Sequence, residues 1–207
     1  MVAEGLAVLA RVHETDPGDP ALAPLRPAGV TPGAARQLEV WEACLRDGLD
    51  GRTTRLFDES LAWLHERVPP PAPLVLSWGD SRPGNIIWDD FRPRCLTDFE
   101  GAAIGPRELD VGWWLMIDRW MHEQVGAPRL DGEPDRARQR DLYLEAAGGE
   151  LGDTLWYEVF SAVRFATTVV QVMNRWVARG AMGADQTIWR DNPATAVLAD
   201  LFEEATS

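Results

Sequence analysis

Ser77 to Glu100 reads SWGDSRPGNIIWDDFRPRCLTDFE, and the fold turns on this stretch. Asp80 and Asn85 lie five apart on a loop bracketed by Gly79 and Gly84, and Asp98 follows at a strand end just before Phe99 and Glu100. Short apolar runs flank these polar residues: Leu74–Trp78, Asn85–Asp89 and Arg94–Asp98, each bounded by turn formers and expected to be a strand. The second and third are expected to form a hairpin through residues 89–93. Phosphoryl transfer needs a carboxylate to orient and deprotonate an attacking hydroxyl, and two oxygen ligands to hold Mg²⁺ over the leaving phosphates. An Asp-x4-Asn loop followed by a second aspartate offers that set, with glycines to turn the backbone. The same residues also make good turns by bonding their own backbone, so SRPGN alone is weak evidence.

Outward from this segment the periodicity becomes helical. Leu6, Leu9, Ala10 and His13 share a face, whereas the Pro/Gly-rich stretch from Pro17 to Gly33 is expected to be irregular. Leu38, Trp41 and Leu45 predict a helix over 36–46, and Phe57, Leu61, Leu64 and Val68 predict another that ends at Pro69, Pro70 and Pro71. Leu109 to Met121 is apolar on nearly all sides and is expected to be a buried helix. A further helix is expected to start at Asp131–Pro134. The longest, with Asp153 as its N-cap and Gly180 as its stop, carries Trp156, Phe160, Val163, Thr167, Val170, Met173 and Val177 on one face. Asn192-Pro193 opens the last helix.

Composition bounds the function. The 207 residues are 45% hydrophobic and 26% charged, the balance of a globular chain that fits one domain. With 33 acidic against 20 basic residues the formal charge is −13, which repels phosphate backbones and argues against nucleic-acid binding. No apolar run is long enough to span a membrane, and the N-terminus does not read as a signal peptide. Cys44 and Cys95 are expected to be buried thiols in a reducing cytoplasm. His13, His65 and His122 show no HxH or HExxH spacing, so no histidine metal site or triad is expected. Neither GxSxG nor GxGxxG occurs.

WGDSRPGN resembles the HGDxxPGN catalytic-loop signature of aminoglycoside and choline kinase-like phosphotransferases, and TDFEGAAIGPRELDVGWW resembles the block that follows it. The likeness covers most of residues 3–120. It implies an α+β, mostly α-helical fold, a protein kinase-like C-terminal lobe with a small β-hairpin or sheet carrying the catalytic loop. Residues 1–73 would supply N-terminal helices, 74–105 the catalytic and metal loops, and 106–207 a helical subdomain, all in one lobe. By the resemblance Asp80 is the catalytic base, Asn85 and Asp98 are the Mg²⁺ ligands, and Asp110 braces the loop. Arg82 is placed as a contact to the cofactor, and Glu100 near the metal. The implied reaction moves the γ-phosphate of ATP, or GTP, to a hydroxyl of a small molecule.

Two departures stand out. Trp78 occupies the place of the family histidine, which packs and hydrogen-bonds around the loop. No Gly-rich phosphate loop and no strand lysine with a helix glutamate partner precede this region, so the N-terminal lobe is expected to be absent. Its surface would then be completed by a second copy of the chain or by a separate N-lobe partner. A truncated, non-catalytic binding or regulatory module is the competing reading, and a Mg²⁺-dependent phosphohydrolase a remote third.

Overall fold

The computed structural model describes residues 1–207. Seven α-helices surround two small antiparallel sheets: α1 (Val2–His13), α2 (Ala34–Leu49), α3 (Arg55–Glu66), β1 (Leu74–Ser77), β2 (Ile86–Asp89), β3 (Arg92–Leu96), β4 (Ala103–Pro106), α4 (Glu108–Arg119), α5 (Arg136–Ala147), α6 (Leu155–Ala178) and α7 (Pro193–Thr206). This is the mostly helical α+β fold expected. None of the helices is long and apolar enough to cross a membrane.

α6 is the organising element. Its expected apolar face is buried from Trp156 through Phe160, Val163, Thr167 and Val170 to Met173, because these residues recur every three to four positions and so stack on one side. α2, α3, α4 and α7 pack against it around Leu45, Phe57, Leu64, Val163, Leu198 and Leu201. Gly180, at φ +70, ends the helix: its N–H reaches the Val177 carbonyl and the Ala181 N–H reaches that of Trp176. Asn192 caps α7, accepting from the N–H groups of Ala194 and Thr195 while the Thr195 hydroxyl accepts from the Asn192 N–H.

α4 lies between two apolar clusters, which explains its continuous hydrophobicity. Leu109, Trp113 and Met116 face the α6 core, whereas Val111, Trp114 and Leu115 join Leu6, Leu9, Trp78 and Tyr143 in a second core beneath α1 and α5. Where α4 meets α6, a Cβ on Gly112 would come within 2.6 Å of Tyr157 Cβ and 2.8 Å of its carbonyl carbon. Only glycine permits that approach.

Some boundaries differ from expectation. β4 was not anticipated; it pairs with β1 from Leu74↔Pro106 to Ser77↔Ala103, because Gly105 and Pro106 hide a strand beneath turn-forming composition. Asn85 lies in a short 3-10 turn, Pro83–Asn85, rather than in β2. β3 begins at Arg92 and ends at Leu96, since the hairpin turns on only Asp90 and Phe91, at φ 48 and 58. Pro20–Leu25 forms a 3-10 helix capped by Asp19 within the stretch expected to be irregular. α5 starts later than Asp131–Pro134, with Asp135 accepting from the Arg138 N–H. The N-cap of α6 is Thr154, although the Asp153 carboxylate still accepts the Leu155 N–H. Cys95 is exposed on the hairpin and Cys44 half-buried, so neither is the deeply buried thiol expected.

Gly112→Ala should lower stability by about 1–3 kcal/mol through overpacking at the α4–α6 crossing. Chemical denaturation would show this as a lower midpoint, and an unchanged midpoint would mean that the helices do not approach this closely.

Candidate active site

The pairing of the strands places the two polar loops together. The chain leaves β1, crosses Trp78–Asn85 and enters β2; it then leaves β3, crosses Thr97–Ala102 and enters β4. Because β1 pairs with β4 and β2 with β3, both loops bridge the same gap side by side. Three contacts lock them: the Thr97 N–H and hydroxyl both donate to the Asn85 carbonyl, at 2.9 and 3.0 Å, and the Trp78 indole N–H donates to the Thr97 carbonyl at 2.8 Å. Trp78 is fully buried and stacks on Phe99. Its indole therefore supplies a polar contact at the position where a histidine was expected. Gly79, at φ +90, sits so close to Gly101 that a Cβ would lie 2.2 Å from the Gly101 carbonyl oxygen.

Asp110, at the start of α4, braces the first loop. Its fully buried carboxylate accepts the backbone N–H groups of Trp78 (2.7 Å) and Gly79 (2.8 Å), and its main-chain carbonyl accepts the Ser81 hydroxyl. His13 Nε2 donates to the same carboxylate at 2.9 Å, while its Nδ1 meets the Tyr143 hydroxyl at 2.7 Å. Burial would push the Asp110 carboxyl up, but the hydrogen bond and charge of His13 and the two backbone donors outweigh it, leaving it below its ordinary value. Burial pushes the Tyr143 phenol up to about 12, so it keeps its proton at neutral pH.

Asp80 projects from the braced loop into a cavity of about 860 Å³. Its Oδ1 accepts the Trp113 indole N–H at 2.8 Å and its Oδ2 accepts the Asn85 amide at 2.6 Å. Arg82 Nε lies 3.1 Å from both oxygens. Arg82, expected as a cofactor contact, is thus folded onto Asp80 in this structure, with its side chain 40% exposed. Asn85 is buried behind Asp80, and its Oδ1 takes no hydrogen bond within the chain. Asp98 and Glu100 stand on the neighbouring loop along the same cavity wall, both exposed, and Asp98 adopts a left-handed backbone at φ 65.

Arg164, on α6, is the member of this site that local sequence patterns did not reveal. It is buried beside the cavity, its Nη2 donates to the Gly79 carbonyl at 2.8 Å, and its guanidinium lies 4.7 and 4.6 Å over the rings of Trp41 and Trp113. Burial lowers its pKa to about 10, against the opposing pull of Asp110 and Asp80, so it remains charged at neutral pH. The one available signal was an arginine interrupting the apolar run Phe160–Val170. His13, Trp113 and Tyr143 were likewise invisible, being 97, 33 and 130 residues from the partners they bond.

The sequence model of the phosphotransferase enzyme family matches residues 2–155. The chain belongs to that family. Among solved structures, a protein of Ralstonia eutropha JMP134 with a provisional aminoglycoside phosphotransferase name superposes with TM-score 0.75 at 24% identity, over 98% of this chain and 64% of that one. A macrolide 2′-phosphotransferase from Brachybacterium faecium aligns at TM-score 0.54 and 22% identity, over 95% of this chain and 59% of that one. This phosphotransferase-family chain therefore spans less than two thirds of the length of either structure. At these identities the likeness speaks to the fold.

Replacing Asp110 by Asn would turn an amide toward two N–H donors and leave His13 without its anion, which should cost about 3 kcal/mol or more. The pH dependence has a definite sign. With its pKa depressed on folding, Asp110 contributes stability in full above the unfolded value of about 3.9, and loses it as pH falls through the lower folded value. Acid unfolding of the native chain should therefore steepen below about pH 4 relative to Asp110→Asn. Parallel acid curves would rule out this bracing role.

Proposed function

We propose that this chain supplies the acceptor-binding and metal-binding part of a small-molecule phosphotransferase, acting on a hydroxyl with ATP or GTP as donor. The observation that carries the reading is the Asp80 carboxylate, held by Trp113 and Asn85 at the cavity wall and flanked by Asp98 and Glu100. Asp80 orients the acceptor hydroxyl and takes its proton as that oxygen bonds to the γ-phosphorus, whose bond to the β,γ-bridging oxygen breaks to release the nucleoside diphosphate. For this Arg82 must swing away, which frees one lone pair on each Asp80 oxygen while Trp113 and Asn85 keep the carboxylate in plane. The side chain is exposed enough to move, and the chain contains no lysine, so Arg82 is the cation of this loop available to meet a phosphate.

The donor set fits Mg²⁺. Asn85 presents an unengaged amide oxygen, and Asp98 an exposed carboxylate with no donor of the chain upon it; both are hard oxygen ligands. When bound, Mg²⁺ offsets the charge of the donor's phosphates. Trp113, Trp114, Trp120 and Phe165 give the cavity an apolar wall suited to the body of an organic acceptor. A second copy of the chain, a separate nucleotide-gripping lobe or further sequence of the same protein would complete the donor site.

One feature favours the alternative, a non-catalytic binding module: Asp80 accepts from Arg82, Asn85 and Trp113 at once, leaving no free acceptor position while Arg82 stays in place.

Calorimetric titration of Mg·ATP into the chain, beside Asp98→Ala, separates these readings. The phosphotransferase reading expects saturable binding tighter than about 1 mM, roughly −4 kcal/mol, that disappears in the variant. No heat with either protein would overturn a nucleotide site within these residues.

A further inference from the structure

Along the same cavity, α4 passes into a π-helical turn, Trp120–Gln124, closed by the Val125 N–H on the Trp120 carbonyl. Such turns recur at functional sites because they shift a side chain out of the regular helical course. This one carries His122. The His122 Nδ1 donates to the Ala127 carbonyl at 2.7 Å, so that nitrogen bears the hydrogen and, in the neutral ring, Nε2 presents a lone pair. Nε2 faces Glu133 Oε1 at 3.3 Å and Asp118 Oδ1 at 3.6 Å, and all three ligand atoms lie within 4.8 Å of one another.

We propose that Asp118, His122 and Glu133 form a transition-metal site, distinct from the Asn85–Asp98 pair, that takes Zn²⁺. Hydrogen bonds from nitrogen to oxygen run to about 3.2 Å, so neither His122 separation is a good one. Tetrahedral Zn²⁺ with bonds of about 2.0–2.2 Å sets neighbouring ligand atoms about 3.3–3.6 Å apart, which matches both. The remaining edge, between Asp118 and Glu133, is the one that shortens when the ion binds.

The surroundings are those of a held ligand set. A carbonyl orienting the far nitrogen of a histidine is the usual outer support of a metal-bound imidazole. Glu133 is fixed through its other oxygen, which accepts the Leu130 N–H at 2.8 Å, while Oε1 takes no hydrogen bond within the chain and faces His122 Nε2. Asp118 is held by Gln139 Nε2 at 2.7 Å and by Arg129. Its Oδ1 is therefore already engaged, so the site depends chiefly on His122 and Glu133. One imidazole with two carboxylates suits Zn²⁺ better than Mg²⁺. All three residues line the cavity, so a fourth coordination position opens to whatever enters it, and the ion ties the loop after α4 to the helix. The site does not depend on the phosphotransferase reading.

The test is equilibrium dialysis and calorimetry with Zn²⁺ on the full 207-residue chain, alongside His122→Gln, Glu133→Gln and Asp98→Asn. The expected result is one ion per chain with Kd below about 10 µM. Affinity should fall by more than about tenfold in the first two variants and stay unchanged in Asp98→Asn. Co²⁺ in place of Zn²⁺ should give the visible bands of a four-coordinate site without the thiolate charge-transfer band of a Cys95 complex. Glu133→Gln keeps the acceptor for Leu130, so it decides the matter even if His122→Gln fails to fold. Absence of binding, undiminished binding in Glu133→Gln, loss only in Asp98→Asn, or a thiolate band would each overturn the proposal.

Discussion

The carboxylate of Asp110 is the constraint from which the rest of the site follows. A buried anion is tolerable only when donors surround it, and here three donors come from two separate parts of the chain: His13 at the end of α1, and the backbone N–H groups of the adjacent Trp78 and Gly79. Satisfying that anion aligns the start of the Gly79–Gly84 loop with α4 and draws α1 beneath it. Tyr143 extends the network to α5 through His13. On the other side Arg164 bonds the Gly79 carbonyl, so this one residue's backbone is held at both its donor and its acceptor.

The tryptophans give the site its rigidity. Trp78 links the two loops, Trp113 fixes Asp80, and Trp41 and Trp113 flank the Arg164 guanidinium. A charged arginine at this depth loses its hydration, and its Nε finds no partner; aromatic faces and one carbonyl take the place of water. The indoles of Trp78 and Trp113 thus combine a large apolar area with a single directed donor, which suits the boundary between core and cavity. Arg82, by contrast, lies on the short loop itself, part-exposed and paired with Asp80.

Much of the helical architecture was legible because burial imposes a period. The faces of α2, α3 and α6, the all-round apolarity of α4 and the Asn192-Pro193 start of α7 each follow from local chemistry repeated over several turns. The hairpin was legible too, but its turn was placed too wide, since Asp90 and Phe91 adopt left-handed conformations that favour glycine or asparagine. β4 escaped notice because four residues ending in Gly105-Pro106 look like a turn and become a strand only by pairing with β1. His122 was set aside for want of a familiar spacing, although Asp118 stands one helical turn before it.

The sequence by itself determined the family, the positions of Asp80, Asn85 and Asp98 on their loops and of Asp110 near a helix start, and the helices that bury the core. These are properties of residues near one another along the chain, where spacing and backbone preference suffice. Tertiary structure alone decided which distant groups meet them: His13 on Asp110, Trp113 on Asp80, Arg164 on Gly79, and Glu133 opposite His122. A lone histidine, tryptophan or arginine carries no local signal of its partner. That partner is chosen when helices pack and each buried polar group must find a match.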